Sequence, residues 1–219
     1  VVVYGRRRVG KTFLIRQAFD NHFDFYLTGL YKKNMRRQLE NFANALSDFS
    51  GEDVETPKDW YAAFRMLKNY LMGISRPGKL VVFLDEVPWM ETRKSDFVSA
   101  LESFWNGWGS GENNLLLILC GSATSWITKK VFSNKGGLFN RDTDRIYLEP
   151  FTLKETEEFL DRRQICLTRK DIAECYMIMG GIPYYLDKIE KGMSFCQNID
   201  NIFFKKRARL WDEFTHLYA

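Results

Sequence analysis

The chain begins with a short apolar stretch that leads directly into a glycine-rich, basic segment. Residues 5–12 read Gly-Arg-Arg-Arg-Val-Gly-Lys-Thr, a full match to the pattern GxxxxGK[ST]. Residues 1–4 before it, three β-branched valines and a tyrosine, predict a strand, and residues 12–19 after it predict a helix. In this order, backbone N–H groups of the loop converge on an anion at the positive end of the helix dipole. The segment therefore predicts a phosphate-binding loop.

The residue types of this loop indicate a nucleoside triphosphate with magnesium. Lys11 is long enough to reach the outer phosphates, and the Thr12 hydroxyl is an oxygen ligand of the kind that hydrated Mg²⁺ accepts. ATP and Mg²⁺ are therefore the expected ligands. The candidate nucleotide contacts are Gly5, Arg6, Arg7, Arg8, Val9, Gly10, Lys11, Thr12 and Phe13.

Composition excludes several other classes of protein. The chain has 219 residues, of which 45% are apolar and 27% charged, as in ordinary globular proteins. Its longest apolar run, residues 115–120, is far shorter than the roughly 20 residues that span a bilayer. The cysteines form no CxxC pair, so neither a zinc site nor a disulfide framework is predicted, and a reducing cytoplasm is expected. The net charge of +4 neither requires nor excludes nucleic acid.

Strand and helix patterns alternate up to residue 150 and then give way to helices alone. Apolar runs predict strands at 23–27, 80–84, 115–120 and 145–148, and amphipathic stretches between them predict helices that include 34–49, 97–108 and 123–131. This alternation predicts an α/β fold with a doubly wound parallel sheet. Helices at 152–163, 170–179 and 183–191 predict a small helical appendage. We therefore divide the chain into a core (1–150), a helical lid (151–192) and the start of a further helical or winged-helix module (193–219).

Two acidic residues follow the apolar run at 80–84. Ligands of open α/β sheets bind at the carboxyl ends of the strands, so Asp85 is placed to hold Mg²⁺ through water. Glu86 can orient and deprotonate the water that attacks the γ-phosphate. The alternative for Asp85 is a solvated carboxylate at a strand end.

Three weaker candidates come later in the chain. Ser122 follows the next buried strand, where its hydroxyl could read the γ-phosphate or instead cap the helix at 123–131. Arg141 could stabilise charge on the transferring phosphoryl group or form a structural ion pair. Pro183 ends a Gly-Gly-Ile-Pro turn, which either joins two helices or abuts the bound nucleotide.

Taken together, these residues resemble the STAND branch of the AAA-like P-loop ATPases. The resemblance covers nearly the whole chain and rests on residues 5–12 as Walker A, 81–86 as Walker B, Gly121-Ser122 as the sensor-one strand and Gly181-Ile182-Pro183 as the GxP motif of the lid. It implies ATP hydrolysis, a five-stranded parallel sheet with one strand inserted between the two Walker strands, a helical lid and a following winged-helix domain. Because the first residues already lie in a strand, we expect a fragment of a longer protein.

Competing functions differ in the residues they require. A GTPase needs an NKxD-like base reader, and the closest string, at residues 134–137, lacks the aspartate. A DNA-associated motor or helicase-like ATPase is the main alternative, because Asp85-Glu86 and Ser122-Ala123-Thr124 resemble DExx and SAT boxes, although no second motor domain follows. A slow nucleotide switch needs the same residues as a turnover ATPase. Nucleic-acid binding through a downstream domain and homo-oligomerisation stay open.

Overall fold

The computed structural model describes residues 1–133, 142–206, 208, 210 and 211. They divide into two compact units, one comprising Val1–Arg7 and Lys11–Leu148 and the other Arg8–Gly10 and the described part of Glu149–Ala219. The strands are β1 (Val2–Tyr4), β2 (Phe25–Thr28), β3 (Leu80–Asp85), β4 (Leu115–Gly121) and β5 (Arg145–Tyr147). The helices are α1 (Lys11–Ala18), α2 (Met35–Ser50), α3 (Trp60–Gly73), α4 (Val87–Met90), α5 (Phe97–Gly107), α6 (Thr124–Ile127), α7 (Leu153–Arg162), α8 (Arg169–Met179), α9 (Pro183–Leu186) and α10 (Phe195–Ile199).

The first unit is built on a parallel sheet with strand order β2-β3-β4-β1-β5. β4 pairs with β1 on one side and with β3 on the other, so it separates the strand before the glycine-rich loop from the strand before the acidic pair. This confirms the predicted five-stranded α/β fold, including the inserted strand. Since all strands run in the same direction, their carboxyl ends lie at one edge of the sheet, where the candidate site residues follow them.

Both faces of the sheet are covered, which explains the continuous apolar run of β3. Val82 and Leu84 pack with residues of α2, α3 and α5, whereas Val81 and Phe83 pack on the opposite face with Ile15 of α1. Every residue of β3 is buried. A strand covered on both faces shows no alternation of polar and apolar residues, and such continuous apolar runs are typical of parallel sheets.

Side-chain caps set the bounds of the two long helices. Asn34 accepts a hydrogen bond from the backbone N–H of Arg37 at the start of α2, and Asp59 accepts one from Ala62 at the start of α3. These caps satisfy backbone donors that have no partner within the helix. The C-cap of α2 is Gly51, whose φ of 72° is the left-handed conformation that glycine adopts without a steric penalty.

The second unit is helical and has its own apolar core. Capping boxes start α7, α8 and α10, at Thr152, Thr168 and Ser194. The core contains Leu160, Ile172, Cys175, Leu186 and Ile199, among others. In the described part of the chain, no helix has the combined length and apolar character needed to cross a membrane.

Two helix predictions differ from the structure. The helix predicted at 183–191 ends at Leu186, because the buried Asn198 binds both backbone polar groups of Glu190 and Arg163 donates to the backbone carbonyl of Asp187. The helix predicted at 123–131 consists of α6 followed by a π-helical turn, Thr128–Phe132. The short helix α4 has no counterpart in the sequence prediction.

Candidate active site

The glycine-rich loop leaves β1 through a backbone conformation that requires glycine. Gly5 has φ +146°, and a Cβ atom at this position would lie 2.3 Å from the backbone oxygen of Leu148, next to β5. Lys11 is the first residue of α1, and its Nζ donates to the backbone oxygens of Gly5 (3.0 Å) and Arg6 (2.8 Å). The ammonium group is thus folded back over the loop. Burial lowers the pKa of Lys11 from its ordinary value.

Thr12 and Asp85 meet at the carboxyl edge of the sheet. The Thr12 hydroxyl donates to Asp85 Oδ2 at 2.7 Å, and Asp85 Oδ1 accepts the backbone N–H of Glu86 at 2.9 Å. Only 4% of Asp85 is exposed. A hydroxyl and a carboxylate are hard oxygen donors of the type that Mg²⁺ prefers, so the residues present fit this ion. The sequence alone does not reveal this contact, because Thr12 and Asp85 lie 73 positions apart.

Glu86 lies at the turn between β3 and α4 in an unusual conformation. Its φ and ψ are 47° and 46°, the left-handed region that costs a non-glycine residue roughly 1 kcal/mol or more. Its backbone oxygen accepts the N–H of Trp89 at 2.9 Å. Glu86 is half-buried, and its carboxylate accepts a hydrogen bond from the Ser122 hydroxyl. Strained residues of this kind concentrate at functional sites.

Ser122 follows β4 and binds the carboxylate of Glu86. Its hydroxyl lies 3.0 Å and its backbone nitrogen 3.3 Å from Glu86 Oε2. Ser122 does not cap the following helix, because Ala123 occupies the N-cap position of α6 and forms no side-chain cap. β4 can approach α4 closely because Gly121 lacks a Cβ, which would lie 2.7 Å from Pro88 Cδ.

The remaining predicted residues fall in different places. Arg6, Arg7 and Phe13 are exposed, whereas Val9 is buried. Within the second unit, the Arg8 guanidinium lies 4.6 Å from the ring centroid of Tyr184. The other predicted positions are Gly10, at the end of the loop with φ +94°, Pro183, at the first position of α9, and Arg141, which lies outside the described residues.

One buried polar residue near this edge was missed by the sequence prediction. Gln38 of α2 is 1% exposed, and its amide accepts from the backbone N–H of Leu30 (2.9 Å) while donating to the oxygens of Leu30 (2.7 Å) and Trp89 (2.8 Å). The Gln38 side chain thereby connects the loop after β2 to α4, the helix that follows Glu86. The available signal was a polar residue at helical spacing with the buried Phe42 and Leu46.

Comparison with known families identifies the family of this chain. A model of the family described as "ATPase domain predominantly from Archaea" matches residues 1–189. The chain belongs to this family of P-loop ATPase domains. A similar protein is an uncharacterised protein of Methanocaldococcus jannaschii, 27% identical over 190 residues, which cover 87% of this chain and 39% of that protein.

Solved structures share the fold at low sequence identity. The Walker-type ATPase of Pyrococcus abyssi has a TM-score of 0.59 and 17% identity, with coverage of 86% of this chain and 60% of that one. A STAND protein with a tetratricopeptide repeat sensor from Pyrococcus horikoshii has a TM-score of 0.53 and 16% identity, with coverage of 100% and 30%. The chain therefore spans between 30% and 60% of the length of these three relatives.

Proposed function

We propose that the chain binds ATP with Mg²⁺ and hydrolyses it to ADP and phosphate. The observation that carries this proposal is the joint placement of two pairs at one sheet edge, Thr12 with Asp85 and Glu86 with Ser122. Phosphoryl transfer asks the protein mainly to position the reactants and to stabilise charge. Family membership supports ATP as the nucleotide.

Each residue has a defined task in this proposal. The loop amides and Lys11 hold the phosphates, the ammonium exchanging its bonds to the loop carbonyls of Gly5 and Arg6 for bonds to phosphate oxygens. Thr12 and Asp85 would hold Mg²⁺, which supplies positive charge to the phosphate oxygens when bound. Glu86 takes the proton of the attacking water, and Ser122 hydrogen-bonds to the γ-phosphate.

The finer assignment follows the resemblance to STAND proteins. In it, residues 1–150 form the ATPase core, 151–192 a lid that contributes Pro183 to the nucleotide, and 193–219 the start of a module that passes the nucleotide state to an effector. Arg141 stabilises the transferring phosphoryl group. The structural likeness to a STAND protein over the full chain supports the fold that this assignment needs. A cytoplasmic location and homo-oligomerisation belong to the same proposal.

Two substitutions test the chemistry. Lys11→Ala should abolish ATP binding measured by calorimetry with Mg²⁺, because the principal cation of the loop is removed. Glu86→Gln should leave the dissociation constant for ATP within about threefold and lower kcat by roughly 100-fold or more, the usual contribution of a general base. Glu91→Gln is the matched control, since its amide oxygen can still accept the backbone N–H of Val98 that Glu91 binds. Unchanged hydrolysis by the Glu86→Gln protein would remove the proposed base.

A pre-steady-state experiment with ATP in excess over protein distinguishes rapid turnover from a slow switch. A stoichiometric burst of phosphate followed by retained ADP indicates a switch, whereas linear phosphate release from the first turnover indicates an ATPase limited by chemistry. Both outcomes require Glu86, and only the rate of ADP release differs.

A further inference from the structure

A basic and aromatic patch lies on the first unit beside the candidate active site. It consists of Arg7, Tyr31, Lys32, Lys33 and Trp89, and we call it the basic–aromatic patch. The Arg7 guanidinium lies 5.7 Å from the Trp89 ring centroid and 5.9 Å from that of Tyr31, and the two rings are 5.2 Å apart. Lys32 Nζ lies 5.0 Å from the Tyr31 ring. Cations and aromatic faces are therefore interleaved over a small area.

The patch is accessible and strongly positive. Tyr31 is 52% exposed, and Lys32, Lys33 and Arg7 are exposed as well. Residues 30–39 contain four cations and no acidic residue. The nearest acid in sequence, Glu40, binds Arg36 and Arg37 of the preceding helical turn at 3.1 and 2.7 Å. Lys32, Lys33 and Arg7 form no salt bridge within the described part of the chain, so their charges are available to a ligand.

Hydrogen bonds from one buried side chain hold the backbone near both aromatic rings. The buried Gln38 side chain binds both backbone polar groups of Leu30, the residue before Tyr31, and the backbone oxygen of Trp89. One amide thus holds both segments that carry the rings, the loop after β2 and helix α4. Such preorganisation lowers the entropy cost of ordering a binding surface when a ligand arrives.

We propose that the basic–aromatic patch binds single-stranded nucleic acid. Bases stack on aromatic faces irrespective of sequence, and flanking Arg and Lys side chains bind the phosphates between them. Tyr31 and Trp89 supply the faces, while Arg7, Lys32 and Lys33 supply the cations. An acidic peptide would use the cations alone and leave the exposed ring unused. A duplex would offer phosphates but no free base faces, so it should bind less tightly.

The patch is linked to both parts of the candidate active site. Arg7 belongs to the glycine-rich loop, and the backbone N–H of Trp89 donates to the oxygen of Glu86 at 2.9 Å. A nucleic-acid strand that stacks on Trp89 and binds Arg7 would therefore restrain the backbone at Glu86 and the glycine-rich loop. This coupling rests on the proposed ATPase function, and we expect single strands to change kcat at saturating ATP.

Fluorescence anisotropy with a 12-nucleotide fluorescein-labelled oligothymidine, measured without ATP, tests binding directly. Tyr31→Ala should weaken binding by about 5- to 100-fold, the range expected for one lost stacking partner, and Tyr31→Phe should retain it. The double variant Lys32→Ala/Lys33→Ala should reduce the slope of log affinity against log salt by about 1.4, or about 0.7 for each lost phosphate contact.

Matched controls are available elsewhere on the chain. Tyr61 is a comparably exposed tyrosine (47%) on α3, and Lys129 and Lys130 are an adjacent exposed pair. Tyr61→Ala and Lys129→Ala/Lys130→Ala should leave oligothymidine binding unchanged. The proposal is overturned if these variants lose as much affinity as the patch variants, if duplex DNA of the same length binds as tightly, or if poly-glutamate of equal charge competes as well as unlabelled oligothymidine.

The binding assay separates this proposal from the proposed ATPase function. Lys11→Ala should lose ATP binding and keep oligothymidine binding. A protein that hydrolyses ATP but fails the oligothymidine test contradicts only the patch proposal. A protein that binds oligothymidine through Tyr31 but does not hydrolyse ATP contradicts only the ATPase proposal.

Discussion

Ser122 donates both its hydroxyl and its backbone N–H to the same carboxylate oxygen of Glu86, at 3.0 and 3.3 Å. The contact joins the residue after β4 to the residue after β3, two neighbouring strands of the sheet. In the proposed mechanism, the group that reads the γ-phosphate therefore also holds the base. ATP that draws the Ser122 hydroxyl to its γ-phosphate would leave the Glu86 carboxylate free to accept a proton.

Replacement of Ser122 by alanine should slow hydrolysis more than it weakens ATP binding. A hydrogen bond to a charged group contributes about 1.5–3 kcal/mol, so we expect kcat to fall by roughly 10- to 100-fold while the dissociation constant for ATP changes by less than about threefold. Ser122→Thr keeps the hydroxyl and should restore most of the rate. Steady-state kinetics and calorimetry measure the two quantities. Equal kcat for Ser122→Ala and the unaltered chain would contradict the role of the hydroxyl.

Gln38 should act on both stability and kcat. Gln38→Met fills a similar volume but leaves buried backbone groups of Leu30 and Trp89 without their partner, which we expect to cost about 2–3 kcal/mol of unfolding free energy. Because Trp89 also binds the backbone of Glu86, kcat should fall by a larger factor than KM rises. Urea unfolding and steady-state kinetics measure these effects. Loss of stability with unchanged kcat would restrict Gln38 to a structural role.

Asp24 should be important for stability and neutral for catalysis. This buried carboxylate accepts from Arg76 and from the backbone N–H of Val81, each at 2.7 Å, at the end of β2 remote from Asp85. Asp24→Ala should lower the unfolding free energy by about 3 kcal/mol, because it leaves the Val81 N–H unsatisfied.

Arg76→Ala provides the comparison for Asp24. The Arg76 side chain is 48% exposed, so water can replace it, and we expect a loss of about 1 kcal/mol. Urea unfolding of the single and double variants would measure the coupling. Equal losses for the two single variants would show that the ion pair, rather than the backbone contact, stabilises this end of the sheet. Neither variant should change kcat.

The two glycines of the phosphate loop should differ in their tolerance of alanine. Both have positive φ, so alanine strains the backbone at either position by roughly 1–2 kcal/mol. At Gly5 the added Cβ would also lie 2.3 Å from the Leu148 oxygen, whereas at Gly10 it meets nothing within 4 Å among the residues that the structure describes. Gly5→Ala should therefore reduce the melting temperature more than Gly10→Ala does. Equal shifts in differential scanning calorimetry would contradict the close approach of the loop to Leu148.

Local sequence patterns predicted most of the fold of the first unit. The glycine-rich loop and the apolar run of β3 express short-range requirements of backbone geometry and burial, so both can be predicted from the chain itself. Helix ends were less predictable. The end of α9 depends on Arg163 and Asn198, residues distant in sequence whose side chains bind backbone groups of the following turn.

A phosphate loop before a helix and an acidic pair after a buried strand can be recognised without a structure, because each motif is contiguous in the chain. Which of these residues touch depends on how the chain folds. The parallel sheet brings Thr12 to Asp85 across 73 positions and Glu86 to Ser122 across 36. The fold also brings the Gln38 amide to the loop after β2 and to helix α4, and it places Arg7, Tyr31 and Trp89 on one surface. Such contacts depend on strand order and on the close approach permitted at Gly5 and Gly121, which no local pattern encodes.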